Sequence, residues 1–171
     1  MTKILIVGVL ILFSCTNVYA ISQSQRNAIL DTHNMVRTEH NLTKLVWDTK
    51  IEKQAQAWAN AMMKNNTVAH SPASSRKWMG ENIYTIITTD SRLASDGSDA
   101  VMLWYTESSR YDYEMNTCAS GSVCGHFTQL IWKTTKRIGC GQSIRKKWDT
   151  TTIYWVCQYD PAGNVVWQNP Y

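Results

Sequence analysis

Apolar and polar residues alternate along this chain in two rhythms. From Ile51 to Met63 the apolar positions Ile51, Ala55, Trp58, Ala59, Met62 and Met63 recur three and four residues apart, with Glu52, Lys53, Gln56 and Asn60 between them. That spacing predicts an amphipathic helix opened by Trp47-Asp48, its Trp and Met stripe turned into a core. An earlier helix is predicted from about Gln25, capped by Ser24, with Ile29, His33 and Val36 on one face and Arg37 near its end. A third runs from Ser98 to about Ser108 with Val101, Trp104 and Tyr105 inward, and a shorter one from His126 to Trp132. The second rhythm has a period of two. Ile138–Ile144 and Thr151–Tyr159 alternate as strands of a hairpin that turns through the polar stretch Arg145–Thr150. A further β-prone patch covers Ile83–Thr89 in an otherwise irregular region, 64–97. Helices and strands mix without a glycine-rich βαβ fingerprint, which favours α+β layering over a nucleotide-binding sheet.

The first twenty residues read as an export leader. Lys3 precedes the apolar run Ile4–Phe13, and Val18-Tyr19-Ala20 offers small residues at the cleavage positions. Cleavage after Ala20 leaves a secreted chain, 21–171, long enough for one well-buried core. The formal net charge of +4 falls to +3 with the loss of Lys3, and these charges are scattered. The longest basic cluster, Arg145-Lys146-Lys147, falls at the hairpin turn and reads as a solvated turn. Nucleic acid is therefore not an expected partner.

Cys118, Cys124, Cys140 and Cys157 remain after Cys15 leaves with the leader. An even count in an exported domain suggests two disulfides, with three pairings open. A four-cysteine zinc site is the rival, disfavoured because no pair has C-x₂-C spacing. Asn41-Leu42-Thr43 and Asn65-Asn66-Thr67 are candidate N-glycosylation sites.

Several longer motifs carry more information. They are His33-Asn34-Met35-Val36-Arg37 with Leu45-Val46-Trp47-Asp48, Gly80-Glu81-Asn82-Ile83-Tyr84, Gly125-His126-Phe127-Thr128-Gln129-Leu130-Ile131-Trp132, and Tyr154-Trp155-Val156-Cys157-Gln158-Tyr159-Asp160-Pro161-Ala162-Gly163-Asn164. In this order they resemble the superfamily of cysteine-rich secretory proteins, antigen 5 and pathogenesis-related 1 proteins, and the Asn169-Pro170-Tyr171 end resembles its pathogenesis-related 1 branch.

The resemblance implies a three-layer α-β-α sandwich with a central antiparallel sheet and one monomeric domain over 21–171. It implies a cleft in which His70, Glu81, Glu107 and His126 converge, with His33 structural and His40 merely exposed. Two imidazoles and two carboxylates are donors suited to zinc or another divalent cation, although none is required. No nucleophilic serine or cysteine motif accompanies them, so an enzyme is not expected. The rival is a metal-dependent hydrolase with Glu81 or Glu107 as general base. The loop Arg110–Cys118 resembles one proposed to admit sterols, which makes Tyr111, Tyr113 and Met115 candidate lipid contacts. The implied activity is defensive, through sequestering a sterol or related lipid from a microbial membrane.

Disulfides Cys118–Cys124 and Cys140–Cys157 are implied by the same resemblance. A third family bridge is missing, since its cysteines before His70 and beyond Cys140 are absent. A looser helix carrying His70 is expected from that loss. Plant relatives can release a C-terminal signalling peptide by cleavage before the proline of this segment, and by that resemblance the peptide here would be Pro161–Tyr171.

Overall fold

The computed structural model describes residues 21–90 and 96–171. The expected leader, 1–20, lies outside them. Helix α1 covers Gln23–Glu39, and its cap is Ser22 rather than Ser24. The Ser22 hydroxyl accepts from the Gln25 amide while the Gln25 side chain accepts from the Ser22 amide, so two otherwise unpaired donors are satisfied reciprocally. Strand β1 is the short Val46–Trp47. Asp48 caps α2, Thr49–Asn65, by accepting from the Lys50 and Ile51 amides, and the helix ends at Asn66 in a left-handed conformation. Then follow β2 (Gly80–Thr88), α3 (Gly97–Tyr105) and a 3₁₀ turn, Thr106–Arg110. A small ribbon, β3 (Tyr111–Asp112) with β4 (Thr117–Cys118), precedes α4 (Gly125–Leu130) and the long strands β5 (Arg137–Lys147) and β6 (Thr150–Asp160).

The central sheet has the order β1-β5-β6-β2 and is antiparallel except where β1 runs parallel to β5. Alternation along the strands divides the core. One face presents Tyr154, Val156 and Ile83 to the Ala55, Ala59, Met62 and Met63 stripe of α2. The other presents Ile138, Ile153, Trp155 and Tyr159 to Ile29 and Val36 of α1, Val101 and Trp104 of α3, and Phe127 and Leu130 of α4. This is the expected α-β-α layering. Close approach of α2 depends on Gly139 and Gly141. A Cβ on Gly139 would lie 2.1 Å from the Glu52 nitrogen, and one on Gly141 would lie 2.3 Å from the Gln56 Cα. Both implied disulfides are formed, so the four-cysteine zinc site is excluded. Cys140 and Cys157 face each other across β5 and β6.

Several local expectations are corrected. The hairpin turn is only Trp148-Asp149, because pairing continues to Lys147↔Thr150. Strand β2 starts three residues earlier than the β-prone patch, at Gly80. His70 lies on a loop rather than a helix, since α2 ends at Asn65. His40 is half-buried: its Nδ1 bonds to the Val36 carbonyl, and its ring packs against Tyr105, Tyr113 and Phe127.

Candidate functional site

The imidazoles and carboxylates assemble as two dyads beside the edge strand β2. In the first, His70 Nδ1 lies 2.8 Å from Glu81 Oε1. The Glu81 side chain has no solvent exposure and is saturated with donors. Besides the imidazole it accepts from the Ser71 amide at 2.9 Å, the Ser71 hydroxyl at 2.7 Å and Gln158 Nε2 at 2.9 Å. These bonds hold the His70 loop in place. Gln158 faces α2, as its cross-strand neighbour Gly139 does, so this dyad lies on the α2 side of the sheet.

The second dyad lies on the opposite side. His126 Nδ1 is 2.6 Å from Glu107 Oε1, and Glu107 Oε2 accepts from the His126 and Phe127 amides at 3.0 and 3.1 Å. Cys124 supplies no side-chain cap for α4. Glu107 therefore does from the 3₁₀ turn what a capping side chain does within a helix, and places negative charge at the positive end of α4. Trp104 stacks on the His126 ring, with centroids 6.0 Å apart and planes at 12°. Asn82 joins the two halves by donating to the His126 carbonyl at 3.1 Å. Glu81 and Asn82 are consecutive on one strand, which is why their side chains leave on opposite faces.

The four residues thus come together as two pairs rather than as one ligand cluster. Among the described residues, no group of three or more His, Cys, Asp or Glu side chains is arranged to hold a metal ion. The donor chemistry agrees. Both carboxylates are spent on hydrogen bonds, and each imidazole has only Nε2 left to offer. The set does not fit a metal held by all four residues. The Glu81 carboxylate is closed off from solvent, and both Glu107 oxygens are engaged by His126 and Phe127.

The Arg110–Cys118 loop is built differently from a set of free tyrosines. Tyr111 is buried, and its hydroxyl donates to the Asn116 side chain. Burial first, then the nearby Tyr171 and Tyr113, push the Tyr111 phenol up to about 12, so it stays neutral. Tyr113 packs among His40, Phe127 and Tyr171. Met115 is exposed at the turn. The C-terminal tail lies against this loop. Asn116 Nδ2 donates to Asn169 Oδ1 at 2.7 Å, the Tyr171 hydroxyl donates to the Tyr113 carbonyl, and the Lys133 amide donates to the Pro170 carbonyl at 2.6 Å. Between loop and tail lies a cavity of about 350 Å³. Its apolar wall is Tyr111, Trp132, Val165, Pro170 and the Cys118–Cys124 disulfide, and Asn116, Thr128, Asn164 and Gln168 supply polar groups. The role of the tail was missed from sequence. Its one local signal is the Pro170-Tyr171 ending, whose proline is buried in the structure.

Residues 30–159 match the family described as "CAP: Cysteine-rich secretory protein family". The chain is 32% identical over 171 residues to pathogenesis-related protein 1B of Nicotiana tabacum, covering all of this chain and 95% of that protein. It is 35% identical over 155 residues to cysteine-rich secretory protein 2 of Cavia porcellus, covering 85% of this chain and 60% of that one. Among solved structures, BmVAL-1 is similar with a TM-score of 0.70 and 26% identity, over 88% of this chain and 83% of its own.

Proposed function

The chain belongs to the CAP, or cysteine-rich secretory protein, family, and from that premise we propose that it is a secreted, non-catalytic defence protein that binds a sterol or related lipid. The cavity between the aromatic loop and the C-terminal tail is the observation that carries this reading. Its volume of about 350 Å³ falls within the range of small-molecule sites, and its walls divide about evenly between apolar side chains and polar groups, the latter including three side-chain amides and one threonine hydroxyl. A sterol needs that combination: apolar surface for the fused rings and a polar partner for its hydroxyl. Tyr111 belongs to the cavity wall. Tyr113 acts one step behind it, as packing that holds the loop.

The hydrolase reading is disfavoured because Glu81 and Glu107 are acceptors in closed networks. Each glutamate orients its histidine, and together the dyads tie the His70 loop, β2 and α4 to one another. Release of Pro161–Tyr171 as a peptide would remove Val165 and Pro170 from the cavity. Peptide signalling and lipid binding are therefore alternative states of one chain. In defence, holding a sterol in this cavity would withdraw it from a microbial membrane.

Titration of the mature protein with a fluorescent sterol tests the proposal. Saturable binding is expected, and Val165→Asp, which puts a carboxylate into the apolar wall at a half-exposed position, is expected to weaken it at least tenfold without loss of fold. Absence of saturable binding, or equal affinity in the variant, would remove the basis for the lipid reading.

A further inference from the structure

At the far end of the sheet from the tail, α2 stops before the β5–β6 hairpin does. Strand register places Arg145, Lys147, Thr150 and Thr152 on the face that α2 covers elsewhere, with Arg145 opposite Thr152 and Lys147 opposite Thr150. Because α2 ends at Asn65, this stretch of the face is left open. Its floor, the Asn66 side of the helix end and the indole of Trp148 enclose a concavity of about 620 Å³.

Two features distinguish it from a solvated turn. Trp148 is the first central residue of a two-residue hairpin turn and has φ 56°, a conformation for which glycine is the ordinary choice. A bulky residue held there, with its indole 90% exposed, is strained without gaining burial. The cations form the second feature. Arg145 is aimed by the helix end, donating to the Met63 carbonyl at 3.3 Å and Asn66 Oδ1 at 2.7 Å, which uses two of its five donors. Lys147 Nζ sits 4.8 Å from the Trp148 ring centre and has no carboxylate partner among the described residues. Lys146, between Arg145 and Lys147 in sequence, points to the opposite face of the hairpin and does not line the concavity. Trp78 and Trp167 are also exposed at positive φ. What sets Trp148 apart is its cationic, hydroxyl-lined surround.

The geometry points to a second binding site in this concavity, for an anionic saccharide carrying sulfate or carboxylate groups. Arg145 and Lys147 match the anionic substituents, the indole offers a flat face to a sugar ring, and Thr150, Thr152 and Asn66 supply hydrogen-bonding groups for hydroxyls. A bilayer is a poorer fit, because the lining has one large apolar group and otherwise polar side chains. This site is separate from the lipid cavity, and its outcome does not depend on sterol binding.

Calorimetric titration of the mature protein with a heparin-derived octasaccharide, beside a neutral dextran octasaccharide, is the test. Binding of the sulfated probe alone is expected, at least tenfold weaker in Lys147→Glu and in Trp148→Ala and unchanged in Lys136→Glu, a basic surface position at the other end of β5. Trp148→Gly separates ligand recognition from folding. It relieves the strained turn, so it is expected to raise the melting temperature and still lose binding. No binding, equal weakening by Lys136→Glu, or retention of affinity in Trp148→Gly would overturn the proposal. So would binding that these variants abolish only on phosphatidylserine vesicles.

Discussion

Replacing Arg37 with methionine is expected to lower the unfolding free energy by about 3–5 kcal/mol, the range for stripping a charged donor from a buried network. Arg37 has no solvent exposure and, among the described residues, no carboxylate partner. Its Nε donates to the Thr43 carbonyl at 2.7 Å, Nη1 to the Leu130 and Trp132 carbonyls at 2.9 and 3.0 Å, and Nη2 to the Thr135 carbonyl at 3.2 Å. Burial pulls its pKa down to about 10, so it remains charged at neutral pH. The charge is stabilised by carbonyl oxygens, including those at the negative end of α4. Methionine would fill the space and leave the four carbonyls without these donors. Lysine, with a single ammonium, would recover only part of the loss. In urea the midpoint should fall at unchanged slope, and the melting temperature should drop on the order of 10 °C. A loss under 1 kcal/mol would mean that water replaces the guanidinium there.

Acid should act through His33. Its Nδ1 donates to the Ile29 carbonyl at 2.7 Å, leaving Nε2 to accept from the Tyr159 hydroxyl at 3.0 Å, and that hydroxyl accepts from Asn82 Nδ2 at 3.3 Å. The network closes only with a neutral imidazole. Burial, with a smaller contribution from the charge on Arg37, lowers the His33 pKa from 6.5 to about 4. The folded state thus binds this proton less readily than the unfolded one. The stabilisation is fully present above pH 6.5 and is lost as pH falls toward 4. It amounts to about 3 kcal/mol for a fully buried group at 1.36 kcal/mol per pKa unit. Glu52 acts in the same direction at lower pH. Burial opposes its charge, but hydrogen bonds from Arg26 and Trp47 more than offset that and hold its carboxyl below the usual range. Comparing unfolding free energies of the native chain and His33→Phe between pH 7 and pH 4 isolates the histidine. The native slope should be the steeper by that amount, and parallel slopes would contradict a neutral, buried His33.

Periodicity was enough to place α2 and the terminal hairpin, because each carries its instructions locally: a stripe above Asp48, and alternation on two facing strands. It could not place Arg37. A cation near a helix end ordinarily reaches water, and the carbonyls that hold this one arrive from positions 130–135. The Glu107 cap is equally non-local, since the helix it serves begins eighteen residues later. Family motifs identified His70, Glu81, Glu107 and His126, but two strand-adjacent residues, Glu81 and Asn82, decide that the dyads lie on opposite faces. The tail carried no periodic signal at all, because it is held by backbone carbonyls and by single side chains such as Asn116 and Lys133.

The location of the bound lipid is the sharpest measurement available. A photoreactive sterol, cross-linked to the mature protein and mapped by peptide mass spectrometry, should label peptides spanning 110–118 and 161–171. Labelling confined to the shallow surface of α1 around Asp31, Met35 and Thr38, or spread evenly over the chain, would contradict a lipid seated between loop and tail.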